Sequence, residues 1–203
     1  MRFLALMLAA ASILSASDTL HVFGKTWQVV NAADWRISEE SGEQILSLIT
    51  HRGPLPGPRR PIQFAIAETP VLRKAKVELD ARPHGRSLMI VFGYRDPAHF
   101  DYAHLSIDTA AREPHHNGIF HVYGGERVRI SAEDGPAAFP ETNHWYHVML
   151  EWNGSSGDVR VSVDGRDIPA LHAVDLSLNS GRVGLGSFDE TGDFRNVKIT
   201  NTE

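Results

Sequence analysis

Apolar side chains recur at every second position along most of this chain, in short runs that Gly, Pro, Asn and Asp separate. A period of two is typical of antiparallel strands with one buried face, and no long stretch shows the helical period. In residues 71–82, for example, Ala75, Val77 and Leu79 alternate with charged neighbours. The pattern predicts strands over residues 71–82, 88–94, 100–108, 119–123, 128–131, 145–152, 159–164, 181–188 and 194–200.

Such a series of short strands, with no alternation of strands and helices, predicts an all-β fold. For a chain of this length we expect a two-sheet antiparallel β-sandwich of the jelly-roll type. Residues 88–94 are apolar on both faces, which indicates a central strand. Asp164-Gly165 predicts a tight hairpin turn, because Gly accepts the positive φ that such a turn requires.

Residues 51–61 contain four prolines and two glycines, so they cannot pair as an interior strand. The few apolar segments before them are too short to fold alone. We therefore interpret this stretch as a surface loop inside one domain that spans residues 18–203.

The first seventeen residues have the layout of a secretory signal peptide. Arg2 is followed by an apolar run to Leu14 and then by the small residues Ser15, Ala16 and Ser17. The apolar run is too short to span a bilayer. We expect cleavage near residue 16 or 17, a secreted or periplasmic mature protein, and no membrane partner after cleavage.

The amino-acid composition limits which binding partners and which catalytic or metal sites this protein can have. The 203 residues carry a formal net charge of −5 without a basic run, so the electrostatic pattern of a nucleic-acid-binding protein is absent. The chain has no Cys, which excludes thiol catalysis, thiolate metal sites and a lipid-anchored cysteine. A core of this size does not need disulfides.

Strand alternation over residues 100–108 and 119–123 predicts which side chains face the core. We expect four apolar side chains to point inward: Ala103, Leu105, Phe120 and Val122. If the two strands pair as a hairpin, four ring-bearing side chains would then share the opposite surface: Tyr102, His104, His121 and Tyr123. The intervening loop would add Arg112 and Asn117.

This surface has three interpretations that the residues leave open. The rings could simply cover the sheet, with the histidines satisfied structurally. They could bind a sugar, because aromatic rings stack on apolar sugar faces while imidazole and phenol groups form hydrogen bonds. They could also act as catalytic base and acid, with His104, Tyr102 and His121 as candidates, in a reaction such as elimination across a sugar ring.

Six segments in the second half of the chain carry a resemblance to a known family. They are residues 92–97 (FGYRDP), 100–105 (FDYAHL), 116–120 (HNGIF), 143–148 (NHWYHV), 181–189 (GRVGLGSFD) and 193–199 (DFRNVKI). These segments resemble exported bacterial domains of the concanavalin A-like lectin/glucanase superfamily, and the nearest branches are the laminin G-like and the 3-keto-disaccharide hydrolase-like domains. The resemblance spans residues 70–199 and is weaker at residues 27–37.

The resemblance implies two facing curved sheets with carbohydrate held on the concave face. Glucanases of the superfamily carry their carboxylates on one strand as Glu-x-Asp-x-x-Glu. Glu78 and Asp80 begin that pattern here, but Pro83 occupies the position of the second Glu. This departure argues against retaining glycosidase chemistry.

Two metal hypotheses follow. Related sandwiches often join their termini through a cation, and Asp189, Asp193 and Asp34 could supply hard oxygen ligands for structural calcium. The alternative is that these acids only build turns. The eleven histidines suggest a transition-metal site, but their spacing matches no compact ligand motif.

The leading hypothesis is therefore an exported module that binds a poly- or oligosaccharide on its concave face. One alternative is a carbohydrate-active enzyme that resembles 3-keto-disaccharide hydrolases or a His/Tyr polysaccharide lyase. Another is an extracellular adhesion module that recognises protein, for which the laminin G-like fold alone would suffice.

Overall fold

A computed structural model describes residues 18–53 and 56–203, and these residues form fifteen strands in two antiparallel sheets. One 3-10 turn, Ala32–Asp34, interrupts the strands. The expected all-β jelly-roll sandwich is confirmed. The predicted signal peptide, residues 1–17, lies outside the described residues.

The first sheet has eight strands. In spatial order they are β1 (Asp18–Val22), β2 (Lys25–Val29), β5 (Gln63–Ala67), β14 (Arg182–Ser187), β7 (Ser87–Asp96), β8 (His99–Ser106), β9 (Gly118–Tyr123) and β10 (Val128–Arg129).

The second sheet has seven strands. In spatial order they are β13 (Arg166–Val174), β12 (Asp158–Val163), β11 (Tyr146–Asn153), β6 (Lys74–Pro83), β15 (Gly192–Asn201), β4 (Glu43–Leu48) and β3 (Trp35–Glu40). Every predicted strand is present, and β7 is the buried, central strand that its two apolar faces indicated.

The main core lies between the sheets. Alternate residues of β6, such as Val77 and Leu79, pack with Leu105 of β8, as the period of two predicted. Trp27 and Trp152 are also buried there. The predicted turn at Asp164-Gly165 joins β12 to β13, and both of its residues have positive φ, of 50° and 72°.

The orientation of β9 differs from the sequence prediction. Phe120 and Val122 do not join Ala103 and Leu105 in the main core, where Ile119 lies instead. The pairing of β8 with β9 places Tyr102 opposite Phe120, and directly paired residues share one face of a sheet. Ile119 and Phe120 are both apolar and point to opposite faces of β9, so alternation alone could not distinguish this register from one shifted by a single residue.

The proline-rich segment connects the two sheets, since β4 belongs to the seven-stranded sheet and β5 to the eight-stranded one. Most of its described residues are exposed, and it lies against Phe188 and Asp189 around a small cavity of about 90 Å³. The segment is therefore a loop from one sheet to the other. Among the described residues, no helix is long and apolar enough to span a membrane.

Gly186 of β14 lies between β5 and β7 at a point where a side chain has no room. A Cβ atom there would approach the Gln63 carbonyl oxygen to 2.1 Å. We expect Gly186→Ala to lower the free energy of unfolding by about 1–3 kcal/mol, because the strands must move apart. Urea denaturation measures this change.

Gly125→Ala is the matched control, since nothing lies within 4 Å of its Cβ position. Equal stability of the two variants would contradict the close approach of β5 and β14.

Candidate functional site

The eight-stranded sheet is apolar on its outer face as well, the face that points away from the seven-stranded sheet. We call this set the outer-face cluster: Phe64, Ile66, Met89, Val91, Phe100, Tyr102, Phe120 and Val122. Every member is at most 5% exposed. The rings of Tyr102 and Phe120 stack at 5.3 Å with an angle of 15°. This face is therefore a second core and not an open platform.

The four ring-bearing residues that were expected on one surface lie on two. Tyr102 and His104 belong to the outer face, while His121 pairs with Asp101 and Tyr123 pairs with His99 on the opposite face. The predicted shared surface is wrong for the same reason as the predicted core: the register of β9 differs by one residue.

His104 is fully buried beneath the loop that follows β8. Its Nδ1 lies 3.0 Å from the carbonyl oxygen of His115, and its Nε2 lies 2.8 Å from the hydroxyl of Ser87. A carbonyl only accepts, so Nδ1 donates and Nε2 accepts from Ser87. Burial holds the pKa of His104 well below its usual value. The imidazole is neutral and supports the loop from below.

Arg129 fixes the same loop from its other side. Its guanidinium donates to the carbonyl oxygens of Pro114, His116 and Ala132 and lies 4.9 Å from the centre of the Phe120 ring. Asn117 is buried, with Nδ2 donating to the Pro136 carbonyl at 3.0 Å. Asn117, which we expected to bind a ligand, is thus part of the loop's framework.

A groove of about 360 Å³ opens beside this framework. It lies where the proline-rich segment, the loop between β8 and β9, the turn before β10 and the turn after β14 meet. Its lining is almost entirely polar and carries charges of both signs: Arg59, Arg86, Glu113, His115, His116, Glu126, Arg127, Asp189 and Glu190. Ligand-binding sites in proteins are concavities of this size.

One part of the groove is electrostatically paired. Both Nε and Nη2 of Arg86 donate to the buried carboxylate of Asp108, at 2.9 and 2.7 Å. Although burial opposes it, this contact lowers the pKa of Asp108. Nδ1 of His116 lies 3.3 Å from the same carboxylate, but burial and the charge of Arg86 lower the pKa of His116. Arg112 is 79% exposed and only 3.5 Å from Asp108.

Another part of the groove carries hydrogen-bond donors that are not paired with carboxylates. The guanidiniums of Arg59 and Arg127 lie 5.5 and 4.2 Å from the centre of the Phe188 ring. Within the described part of the chain, neither forms an ion pair with a carboxylate. These two guanidiniums can therefore donate hydrogen bonds to a ligand at little cost in lost contacts.

The carboxylates proposed for calcium do not converge. Asp34 accepts two hydrogen bonds from Arg52, and Asp193 accepts from Arg82 and lies 2.9 Å from Nε2 of His84. Asp189 instead borders the groove. Across residues 18–53 and 56–203, one group of three possible ligands does converge, Asp101, His121 and Asp175.

The outer face of the seven-stranded sheet carries ion pairs instead. Glu78 pairs with Lys76, and Asp80 pairs with Arg195 and His147. These are the residues that begin the glucanase pattern, and each has its own partner here. Trp145 is half-buried on this face, with the guanidiniums of Arg82 and Arg195 each 4.3 Å from its ring centre.

Sequence reasoning missed Arg59, Arg127 and Glu126, which lie in irregular segments where strand alternation gives no information. A usable signal was the proline-rich segment itself: a long ordered loop within a compact domain is often functional. The turn at Phe188 to Glu190 was noticed only as a source of calcium ligands.

Comparison with solved structures supports the fold. The carbohydrate-binding module CBM66 from Bacillus subtilis superposes with a TM-score of 0.60 at 17% identity, over 85% of this chain and 94% of that one. A Bacillus subtilis protein of unknown function with a galectin-like fold gives 0.51 at 16% identity, over 83% and 86%. Lectin I-B4 from Griffonia simplicifolia gives 0.50 at 13% identity, over 92% and 99%.

No protein-family model and no curated protein matches the sequence. The structural matches show that the chain has a two-sheet jelly-roll fold. At these identities they show the fold alone.

Neutral, buried His104 makes stability depend on pH. An unfolded histidine has a pKa of about 6.5, so below that pH the unfolded chain binds a proton that the folded chain excludes. This contribution to stability is complete above the unfolded pKa and is lost as pH falls toward the folded value. Its slope is at most about 1.4 kcal/mol per pH unit.

We therefore expect wild type to lose more stability between pH 7 and pH 5 than His104→Gln, as measured by urea unfolding. His51→Gln, which alters an exposed histidine, should keep the wild-type slope. Equal slopes for wild type and His104→Gln would show that His104 is protonated in the folded protein.

Proposed function

We propose that this protein is an exported carbohydrate-binding module and that the groove beside Phe188 is its binding site. The observation that carries the proposal is the groove itself, a concavity lined by hydrogen-bonding groups on a jelly-roll sandwich. Sugars present many hydroxyls, and guanidinium, imidazole and carboxylate groups bind hydroxyls as donors and acceptors. CBM66 and lectin I-B4, which share the fold, support a carbohydrate ligand.

The proposed binding site lies at the rim of the outer face of the eight-stranded sheet, and not on the sheet surface that the sequence predicted. Tyr102 and His104 are too deeply buried to touch a sugar, and His104 instead supports the loop that carries His115 and His116. Arg59 and Arg127 become the principal donors, since they face the groove without carboxylate partners in the described chain. Export remains an expectation from residues 1–17.

A glycan panel tests the proposal. Wild type should retain at least one poly- or oligosaccharide, and Arg127→Ala should weaken that binding about tenfold or more. A hydrogen bond from a charged donor contributes about 1.5–3 kcal/mol, and 1.4 kcal/mol corresponds to a factor of ten. Isothermal titration calorimetry on the best ligand gives the ratio.

Arg36→Ala is the matched control, because Arg36 is an exposed guanidinium on β3 of the other sheet. If both variants bind as wild type does, the groove is not the binding site. If no glycan is retained at all, the function itself is wrong.

Glycan cleavage is the second candidate, and one observation favours it. Glu113, Glu126 and Glu190 line the same groove as His116, so acid and base groups surround the space a sugar would occupy. The same panel distinguishes the two functions, since cleavage releases new reducing ends or unsaturated sugars whereas binding does not. The buried His104 and Tyr102 have no access to a ligand and cannot serve as this acid and base.

A further inference from the structure

A second cluster lies on the other side of the hairpin formed by β8 and β9, away from the groove. Nδ1 of His121 is 2.6 Å from Oδ1 of Asp101 and 3.0 Å from Oδ2 of Asp175. Asp101 lies on β8, His121 on β9, and Asp175 directly follows β13. We call these three residues the His121 cluster.

The cluster has more negative than positive charge. Two carboxylates face one imidazole, and within the described residues no Lys or Arg forms an ion pair with either carboxylate. Asp101 is only 1% exposed. A carboxylate buried in this way is either protonated, paired with a cationic side chain or bound to a metal ion.

The surroundings hold the three groups in place. The hydroxyl of Ser177 donates to the Asp175 carboxylate, at 2.6 Å to Oδ1 and 2.7 Å to Oδ2, and its backbone N–H donates at 2.8 Å. The ring of Tyr123 stacks on that of His121 at 5.7 Å with an angle of 21°. Groups that orient the ligands in this way are typical of metal sites.

We propose that the His121 cluster binds one zinc ion through Nδ1 of His121 and one carboxylate oxygen each from Asp101 and Asp175. Imidazole nitrogen and carboxylate oxygen are both zinc ligands, and three protein ligands leave a fourth position for water. Tetrahedral ligands about 2.1 Å from zinc lie about 3.4 Å apart. The two observed separations must therefore widen by less than about 1 Å.

The position of the site gives the ion a structural role. β8 and β9 belong to the eight-stranded sheet, whereas β13 belongs to the seven-stranded sheet. A zinc ion here would connect the two sheets at one end of the sandwich. Because it binds the folded chain and not the unfolded one, it should raise the melting temperature. This proposal is independent of the sugar-binding groove.

The test uses the mature protein after treatment with a chelator. Titration calorimetry with zinc chloride should show one tight site per chain, and saturation should raise the melting temperature by several degrees. Asp175→Asn and His121→Gln should remove the tight site, leaving only weak binding by surface histidines. Substituted cobalt should show the visible absorption of a tetrahedral site with nitrogen and oxygen ligands.

His147→Gln is the matched control. Its Nδ1 lies 3.1 Å from Asp80 in a similar but exposed pair, so this variant should keep the tight site. The partly exposed Asp175 makes a variant that should still fold, which circular dichroism verifies. Absence of a tight site in wild type, or its persistence in folded Asp175→Asn, would overturn the proposal and leave the cluster as a hydrogen-bonded triad.

Discussion

The apolar outer face of the eight-stranded sheet must be kept from water, and the rest of the structure follows from that constraint. A sandwich needs one buried face per sheet, but here Phe100, Tyr102, Phe120 and their neighbours extend burial to a second face. Polar segments must therefore lie over the rim of this face. The proline-rich segment, the loop after β8 and the guanidiniums of Arg127 and Arg129 occupy that place.

The segments that cover the outer face also determine where a ligand can bind. All polar side-chain atoms of His104 and Asn117 form hydrogen bonds with protein groups. These bonds fix the position of the loop between β8 and β9 relative to the sheet. The groove lies beside the loop, where guanidiniums from two different segments meet the turn after β14. On the opposite face of the same hairpin, Asp101 and His121 point toward β13. The hairpin of β8 and β9 thus supports two chemically different sites, the groove and the His121 cluster.

Much of the fold could be predicted from alternation, because strands with one wet face have a clear period. β6, the turn at Asp164-Gly165 and the inward face of β8 were all predicted correctly. The register of β9 could not be predicted, since its neighbouring residues Ile119 and Phe120 are both apolar and both buried. The candidate site depended on that register, so His121 and Tyr123 were placed on the wrong face.

The groove and the His121 cluster could not be predicted for a different reason. Arg59, Arg127 and Asp175 lie in irregular segments far apart in the chain, and only the topology of the two sheets brings them near β8 and β9. The alternation of apolar and polar positions gives no information about such residues, because they do not lie on strands. The composition excluded thiolate sites, but it could not show which histidine would meet two carboxylates.

The most direct test of the central claim is a map of backbone amide chemical shifts in the protein with and without a retained oligosaccharide. If the covered outer face directs ligands to the groove, the shifts will concentrate at His116, Arg127 and Glu190. Shifts confined to the region around Trp145 on the seven-stranded sheet would contradict this account.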